Sequence, residues 1–319
     1  MSIERIATAA QSQLLLSLIN QAGNAYATSQ EQVASGKVAT EYTGFGSKAS
    51  LLEATRTAFN KADAYQDNTT LAVNQAGLQD TQLSSLSDVA NQLRQTITKA
   101  VADGDGTTLT TEIQSVFDQV SQILNAQDAN GNYIYGGDKD SVPPLNVTSL
   151  AQLVALPSIA SAFSNGTQRK SVAVSDGQTV QIGVLASDAG SALLQTLKDF
   201  ATFDAGANGN FAASATLTKA QDDFLTGEIP LTVAAASAVN AVAAGNGIVY
   251  KQLQDAVSHQ QALSNLYHGF VSNLEDVDLP TALAQQSQNQ LALQAALQVT
   301  SKLGQLSLLN FLPAPGSGG

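Results

Sequence analysis

The stretch that decides the fold is residues 51–100, which read LLEATRTAFNKADAYQDNTTLAVNQAGLQDTQLSSLSDVANQLRQTITKA. Alternating steps of four and three residues select fifteen positions in it, and twelve of them are apolar. These positions are Leu51, Thr55, Ala58, Ala62, Tyr65, Thr69, Ala72, Ala76, Gln79, Leu83, Leu86, Ala90, Leu93, Ile97 and Ala100. Such a heptad repeat is typical of a long helix packed along a second helix. The stretch therefore predicts a rod helix of roughly 75 Å.

A second heptad seam near the other end of the chain offers a partner for this rod. Its positions are Val249, Leu253, Ala256, Gln260, Leu263, Tyr267, Phe270 and Leu274. Two seams with the same steps can pack as an antiparallel pair within one chain. We predict that the rod seam is formed mainly by its large apolar residues, Leu83, Leu86, Leu93, Ile97, Leu253, Leu263 and Phe270.

The sequence between the two predicted rod helices has a different pattern of hydrophobic and turn-forming residues. The first rod ends at the turn signal of residues 103–106, DGDG, and a shorter helix is predicted from about Thr108 to Asn125. From about residue 138 to 231, short runs of alternating valines flank Asp176-Gly177, which predicts a β-hairpin. A helix is predicted from about Gly190 to Phe203. The fold class is thus mainly α, with a small inserted α/β head that we expect to be exposed.

The two outermost segments share an uncharged polar character. The last helix is predicted to begin near Asp278, which can cap it, with Pro280 in its first turn. Glutamine, serine and asparagine dominate the polar side of this helix and of the N-terminal helix, a composition suited to packing against neighbouring protein. We predict an assembly interface that includes Ile6, Leu14, Leu18, Leu291, Leu303 and Leu306.

Composition argues against several classes of function. The net charge is −12 and the 14 basic residues are scattered, which disfavours nucleic-acid binding. The chain has no cysteine, so disulfides, thiolate catalysis and cysteine-based metal sites are excluded. No unbroken run of about 18 apolar residues occurs, so we expect no membrane-spanning helix and no membrane partner.

No motif points to catalysis, a metal or a cofactor. His259 and His268 are nine residues apart, which is not a ligand spacing on a helix. Residues 128–132, DANGN, resemble the start of a calcium loop, but Tyr133 and Lys139 occupy the positions that require Gly and Glu. Phosphate-binding glycine patterns and nucleophile motifs do not occur. We therefore expect a protein that is not an enzyme and binds no cofactor.

The N-terminus imitates a signal peptide without satisfying its pattern. Arg5 and the apolar run Leu14–Ile19 resemble its first two parts, but Glu4 and the polar residues 11–13 interrupt them. A retained amphipathic helix fits better. If the protein leaves the cell, we expect export without cleavage.

Four stretches, in this order along the chain, resemble motifs of the flagellin superfamily. Residues 29–38, SQEQVASGKV, resemble the family's LSSGKRI-type segment, and residues 130–137, NGNYIYGG, its NGRYLFGG-type motif. Residues 276–282, DVDLPTA, resemble the DVDLAEA-type junction before the last helix, and residues 304–312, GQLSLLNFL, the LSLLNYL-type tail. The final residues, 313–319, depart from the family as an extra tail rich in Pro, Gly and Ser.

The resemblance implies a division of the chain into assembly helices, rod and head. The implied segments are 1–45, an N-terminal assembly helix (D0-like); 46–137, an N-terminal rod (D1-like); 138–231, the inserted head (D2-like); 232–275, the C-terminal rod helix (D1-like); 276–312, the C-terminal assembly helix (D0-like); and 313–319, a flexible tail.

Within the superfamily, the tail and residues 133–140, YIYGGDKD, look most like the hook-associated protein 3 branch, which forms the junction between hook and filament. Residues 42–49 replace the AGLAIA-like segment usual in filament flagellins. This resemblance implies an extracellular flagellar subunit, with copies of itself, hook-associated protein 1, flagellin and an export chaperone as partners. Two alternatives stay open: filament flagellin itself, and a secreted helical adhesin or translocator.

Overall fold

A computed structural model describes the backbone of residues 2–309 and the side chains of residues 10–302. The chain forms two compact units, one from residues 1–60 and 263–319 and the other from residues 61–262. The α-helices are α1 (Ser2–Ser35), α2 (Ala49–Asp103), α3 (Leu109–Leu124), α4 (Leu150–Ala155), α5 (Ala186–Asp204), α6 (Lys219–Glu275) and α7 (Leu279–Leu309). Two strands, β1 (Lys170–Ser175) and β2 (Gln178–Ile182), and three short 3-10 helices complete the fold.

The heptad seam of α2 is buried along most of its length. Leu83, Leu86, Leu93 and Ile97 are fully buried within the larger hydrophobic core. The start of the predicted seam was wrong. Leu51, which the pattern selected, is 56% exposed, whereas Leu52, which it did not select, is fully buried. A straight α-helix has 3.6 residues per turn, so a seam extrapolated at 3.5 drifts off the buried face near its ends.

Helices α2 and α6 run antiparallel in the second unit, as predicted from the two seams. Ser87 Oγ donates to Asn240 Oδ1 at 2.8 Å, and Asn246 Nδ2 donates to the Ala76 carbonyl at 2.9 Å. The residue number rises along α2 as it falls along α6 in these contacts. Because Asn246 is buried, its side chain also fixes the register of the pair.

Helix α6 begins well before residue 232, where the sequence predicts the rod to resume. Its first buried positions also follow steps of four and three: Gln221, Leu225, Glu228, Thr232, Ala235 and Val239. The helix therefore continues through Pro230, a residue that usually ends or kinks one. Burial of Leu225 before the proline and of Ala235 and Val239 after it offsets the loss of one backbone hydrogen bond.

The predicted hairpin is confirmed. The expectation that it would be exposed is not, because one side of it is buried. Strands β1 and β2 pair antiparallel, and Gly177 takes a left-handed φ of 68° in the turn. Val174, Val180 and Ile182 pack against α2 and α6 in a second hydrophobic cluster whose other members are Ala72, Ala76 and Leu253. Because Ala72 and Ala76 of α2 are small, the strands can approach that helix closely. The inserted segment thus lies along the helices of its own unit.

By length and composition alone, α6 could cross a membrane, the one helix in the described part of the chain of which this is true. A core helix of a folded protein passes the same test, so the observation is weak evidence. The expectation of no membrane-spanning helix rested on the lack of an unbroken apolar run, and it stays a prediction. Alanine and valine raise the average hydropathy even though serine, asparagine and glycine interrupt the apolar run.

Glu228 places a carboxyl group inside the α6 seam. The residue is 5% exposed, and its Oε2 atom has no hydrogen-bond partner among the described residues. Burial, with a smaller contribution from the charge of Asp199, raises the pKa of Glu228 from 4.5 to about 7. A raised carboxyl pKa means that the folded state holds the proton more tightly than the unfolded chain does. The resulting destabilisation is absent below about pH 4.5 and grows until about pH 7.

We expect Glu228→Gln to stabilise the protein above pH 7 and to change little at pH 4.5. The pKa change corresponds to about 3 kcal/mol, so a gain of roughly 2–3 kcal/mol in the free energy of unfolding is expected at pH 8. Urea unfolding at the two pH values measures it, with the exposed Glu53→Gln as control. Equal effects of Glu228→Gln at both pH values would contradict the assignment.

Candidate assembly site at the terminal helices

Helices α1 and α7 pack on each other through a narrow seam. The positions of α1 with reduced exposure include Leu15, Ile19, Ala22, Tyr26, Ser29 and Val33, and those of α7 are Ala282, Gln286, Asn289, Leu293, Ala296 and Thr300. Both sets follow steps of four and three residues, and Asn289 Nδ2 donates to the Ala25 carbonyl at 3.0 Å. Only Ser29 and Ala282 among these twelve are fully buried, so the pair buries little apolar area by itself.

The outer sides of the same two helices expose large apolar side chains. Leu14, Leu18 and Leu291, three of the predicted interface residues, are 60%, 46% and 66% exposed. The side chains of the other three, Ile6, Leu303 and Leu306, lie outside the described residues. Further exposed apolar residues on these helices are Leu16, Leu283, Leu297 and Val299. Apolar surface on this scale is typical of a protein-binding face.

A long central part of each terminal helix is also free of charge. Residues 10–30 and 279–301 contain no Asp, Glu, Lys or Arg, although the whole chain carries a net charge of −12. Copies of an acidic protein repel one another, and this repulsion is weakest where charge is absent. Leucine and side-chain amides can therefore be buried against a neighbour here without desolvating an ion.

Two stretches that resemble family motifs meet at the end of α1. Gly36, with a left-handed φ of 70°, ends the helix. Lys37 then forms an antiparallel bridge with Asp276. The Val38 amide donates to the Glu275 carbonyl at 2.7 Å, and the Val277 amide donates to the Gly36 carbonyl at 2.9 Å. The N-terminal GKV sequence and the C-terminal EDV sequence thus form one joint.

A buried carboxylate ties this joint together. The side chain of Glu275 is 6% exposed and forms ion pairs with Lys37 and Arg56. Burial alone would raise the pKa of Glu275, but hydrogen bonds from Lys37 and Arg56 outweigh it and lower that pKa. Arg56 also donates to the Tyr42 hydroxyl at 3.2 Å and lies 5.7 Å from the centre of its ring. Our sequence reasoning missed this cluster, whose signal is a lone glutamate beside the DVDLP motif.

We expect Glu275→Gln to loosen the joint by about 1–2 kcal/mol, because two charge-assisted hydrogen bonds are lost to partly exposed partners. Hydrogen exchange at the Val38 and Val277 amides should accelerate about tenfold. The control is Asp255→Asn, which breaks an exposed ion pair with Lys251.

The contribution of Glu275 to stability depends on pH in a definite direction. Because the pKa of Glu275 is lowered on folding, its contribution is present above about pH 4.5 and is lost as pH falls below that value. Unchanged exchange in Glu275→Gln at pH 7 would show that the ion pairs do not hold the joint.

The C-terminal rod seam departs from the sequence prediction toward its end. Leu253 is fully buried and Leu263 is half-buried, whereas Phe270 is 48% exposed, so its assignment to the seam was wrong. The buried positions in this part of α6 are Leu253, Gln260, Ser264 and Glu275, so burial recurs after eleven residues from Leu253 to Ser264 and again to Glu275. An eleven-residue repeat corresponds to about 3.67 residues per turn, which carries the buried face away from the heptad position of Phe270.

The remaining candidate sites, a metal-ligand group and the calcium-like loop, show no metal-binding arrangement among the described residues. Within the described residues, no group of three or more His, Cys, Asp and Glu side chains is placed to hold a metal ion. The Asp128 carboxylate in the calcium-like loop accepts from the amides of Asn130 at 2.8 Å and Asn132 at 2.9 Å. It thereby closes a turn.

Both helical ends of the chain match family models of known proteins. Residues 6–140 match the family model of the bacterial flagellin N-terminal helical region, and residues 231–312 match that of the C-terminal helical region. A search of curated proteins finds no match.

Solved structures share the fold at low sequence identity. A protein from Vibrio parahaemolyticus described as a flagellar hook-associated protein is 15% identical, with a TM-score of 0.59 over 74% of this chain and 99% of that chain. Flagellar hook-associated protein 3 from Legionella pneumophila is 12% identical, with a TM-score of 0.53 over 70% of this chain and 98% of that chain. The two family models cover more than half of the sequence, and the chain belongs to the flagellin superfamily.

Proposed function

We propose that this chain is a structural subunit of the bacterial flagellum that links hook-associated protein 1 to flagellin at the hook–filament junction. The observation that carries the assembly role is the charge-free, leucine-bearing outer face of α1 and α7. Membership of a family of structural flagellar proteins supports it and gives no reason to expect catalysis.

The junction position, as opposed to the filament, is supported by residues 42–49. They differ in sequence from the AGLAIA-like segment of filament flagellins, and Tyr42–Lys48 forms a 3-10 segment that includes Gly46 at a φ of 56°. Tyr42 in this segment contacts Arg56 of the joint. A segment of different sequence beside the terminal helices would present different side chains to neighbouring subunits.

The mechanism we propose couples ordering of the terminal helices to assembly. Four of the twelve positions in their mutual seam are Ser, Thr, Gln or Asn, and only two of the twelve are buried. Full stability therefore requires apolar contact with neighbours, which adds binding free energy to folding free energy. One face of the subunit would meet a different face of the next, as helical assemblies require. In this proposal the chain is exported without a cleaved signal, assisted by a chaperone, and functions outside the cell.

The test uses purified full-length chain, isolated hooks that carry hook-associated protein 1, and flagellin. We expect the chain alone to form no long filaments, to bind hook ends, and to allow flagellin to grow from them. Long filaments grown by the chain alone would reject the junction role in favour of filament flagellin. Absence of binding to hook ends, together with surface localisation away from flagella, would favour an adhesin.

A further inference from the structure

Helix α6 carries a second heptad seam on a different side from its buried one. The seam follows steps of three and four residues through Leu231, Ala234, Ala238, Ala241, Gly245 and Ile248. All six residues are apolar or glycine, and none of them is buried. We call these six residues the outer α6 seam. A seam of this spacing is the signature of a helix that packs against another helix, and no helix among the described residues covers it.

The outer α6 seam is large at its ends, small in its middle and free of charge. Leu231 is 48% exposed and Ile248 is 71% exposed. Residues 229–250 contain no Asp, Glu, Lys or Arg. The most apolar 18-residue stretch of α6 is only 28% buried, so much of this apolar surface faces outward in the single chain. An acidic chain that leaves such a face uncovered has a place where copies can meet without burying charge.

A groove lies beside the middle of the outer α6 seam and makes this part of the surface concave. It has a volume of about 310 Å³, and its lining includes Ala241, Gly245, Gly183 and Val184. One charged residue, Arg169, also lines the groove, and its charge is paired with Asp188 at 2.8 Å. A Cβ atom added to Gly245 would have nothing within 4 Å. Glycine inside a helix costs about 1 kcal/mol relative to alanine, and packing within this chain does not require it here. Close approach of an external helix is a physical reason for glycine at this position.

The complementary convex surface lies on the outer side of α2. Leu71 is 68% exposed and Leu78 is 38% exposed, and the two are one heptad apart. Residues 68–79 around them also lack charged side chains. Two leucine knobs spaced by seven residues match the small positions Ala234 and Ala241, which have the same spacing. The outer face of α2 and the outer α6 seam are different patches of one chain.

We propose that the outer α6 seam receives Leu71 and Leu78 of a second copy of this chain. The contact joins unlike patches, so it is heterologous and propagates from copy to copy. It rests on the proposed self-assembly of the subunit, to which it adds a second interface formed by helices α2 and α6. Copies stacked in one orientation would place α2 of one against the antiparallel α6 of the next.

Because the chain has no cysteine, single-cysteine variants give a direct test. Leu78→Cys and Ala234→Cys, which face each other in the antiparallel arrangement, are assembled on hook ends separately and as an equal mixture, then treated with a short thiol-to-thiol crosslinker. We expect covalent dimers in the mixture at a yield at least fivefold above either variant alone. Val142→Cys, at a site 45% exposed outside both patches, is the control partner for each.

Four outcomes would overturn the proposal. Equal dimer yield from each variant alone would indicate contact between like patches, and equal yield with Val142→Cys would indicate random collision. Normal assembly without any mixed dimer would reject this interface and leave the proposed function intact. Absence of wild-type binding to hook ends would reject the proposed function, and this inference with it.

Discussion

Replacing Leu86 by aspartate should remove most of the stability of the second unit. Leu86 is fully buried in the larger hydrophobic core, so the substitution removes a leucine and leaves an unpaired carboxylate in its place. Loss of a buried leucine side chain costs about 2–5 kcal/mol, and burial of an unpaired charge adds several more. Since domains are stable by about 5–15 kcal/mol, we expect a loss of at least roughly 5 kcal/mol.

The matched control for this change lies on the same helix. Leu71→Asp makes the same chemical replacement at a side chain that is 68% exposed, so its effect on stability should stay within about 0.5 kcal/mol. Urea unfolding followed by circular dichroism compares the two. Similar midpoints for Leu86→Asp and wild type would contradict the paired-helix core.

Deletion of residues 1–40 should abolish assembly while leaving a folded protein. Both hydrophobic clusters consist of residues between Ala72 and Leu253, within the second unit, so the deletion removes neither. It does remove α1, the partner of α7 and the bearer of the exposed Leu14 and Leu18. We expect binding to hook ends to fall at least a hundredfold, with the main melting transition shifted by only a few degrees.

A point variant separates loss of contact from loss of the helix. Leu14→Asp combined with Leu291→Asp keeps both helices and the Glu275 joint but places charge on the outer faces. It should weaken binding to hook ends as the deletion does, whereas Val142→Asp should not. Binding by the deletion variant at wild-type strength would show that the assembly surface lies elsewhere.

The sequence predicts this fold well where the cause is local periodicity. The α2 seam from Leu83 to Ile97, the turn at Gly104 and the hairpin turn at Gly177 follow from spacing and turn chemistry alone. Extrapolation of the heptad pattern failed at Leu51 and Phe270, which are exposed. The period of the buried face differs there from the 3.5 residues per turn of an ideal heptad repeat. The continuation of α6 through Pro230 depends on burial that a single-sequence pattern does not weigh.

Long-range contacts explain the rest of what the sequence could not predict. Arg56 and Glu275 are 219 residues apart, and nothing local to either indicates that they form an ion pair. The alternation of valines predicted the hairpin, but not that Val174 and Val180 would pack on Ala72 and Ala76. Leu14, Leu18 and Leu291 were predicted to form an assembly interface because Gln, Ser and Asn dominate the polar sides of their helices. All three are exposed, and their role in assembly remains a prediction.

The most direct test of the junction role is the position of this chain on intact flagella. Immunogold labelling of isolated flagella, with an antibody against the full-length chain, should give a single band between hook and filament. Label distributed along the filament shaft would contradict the account.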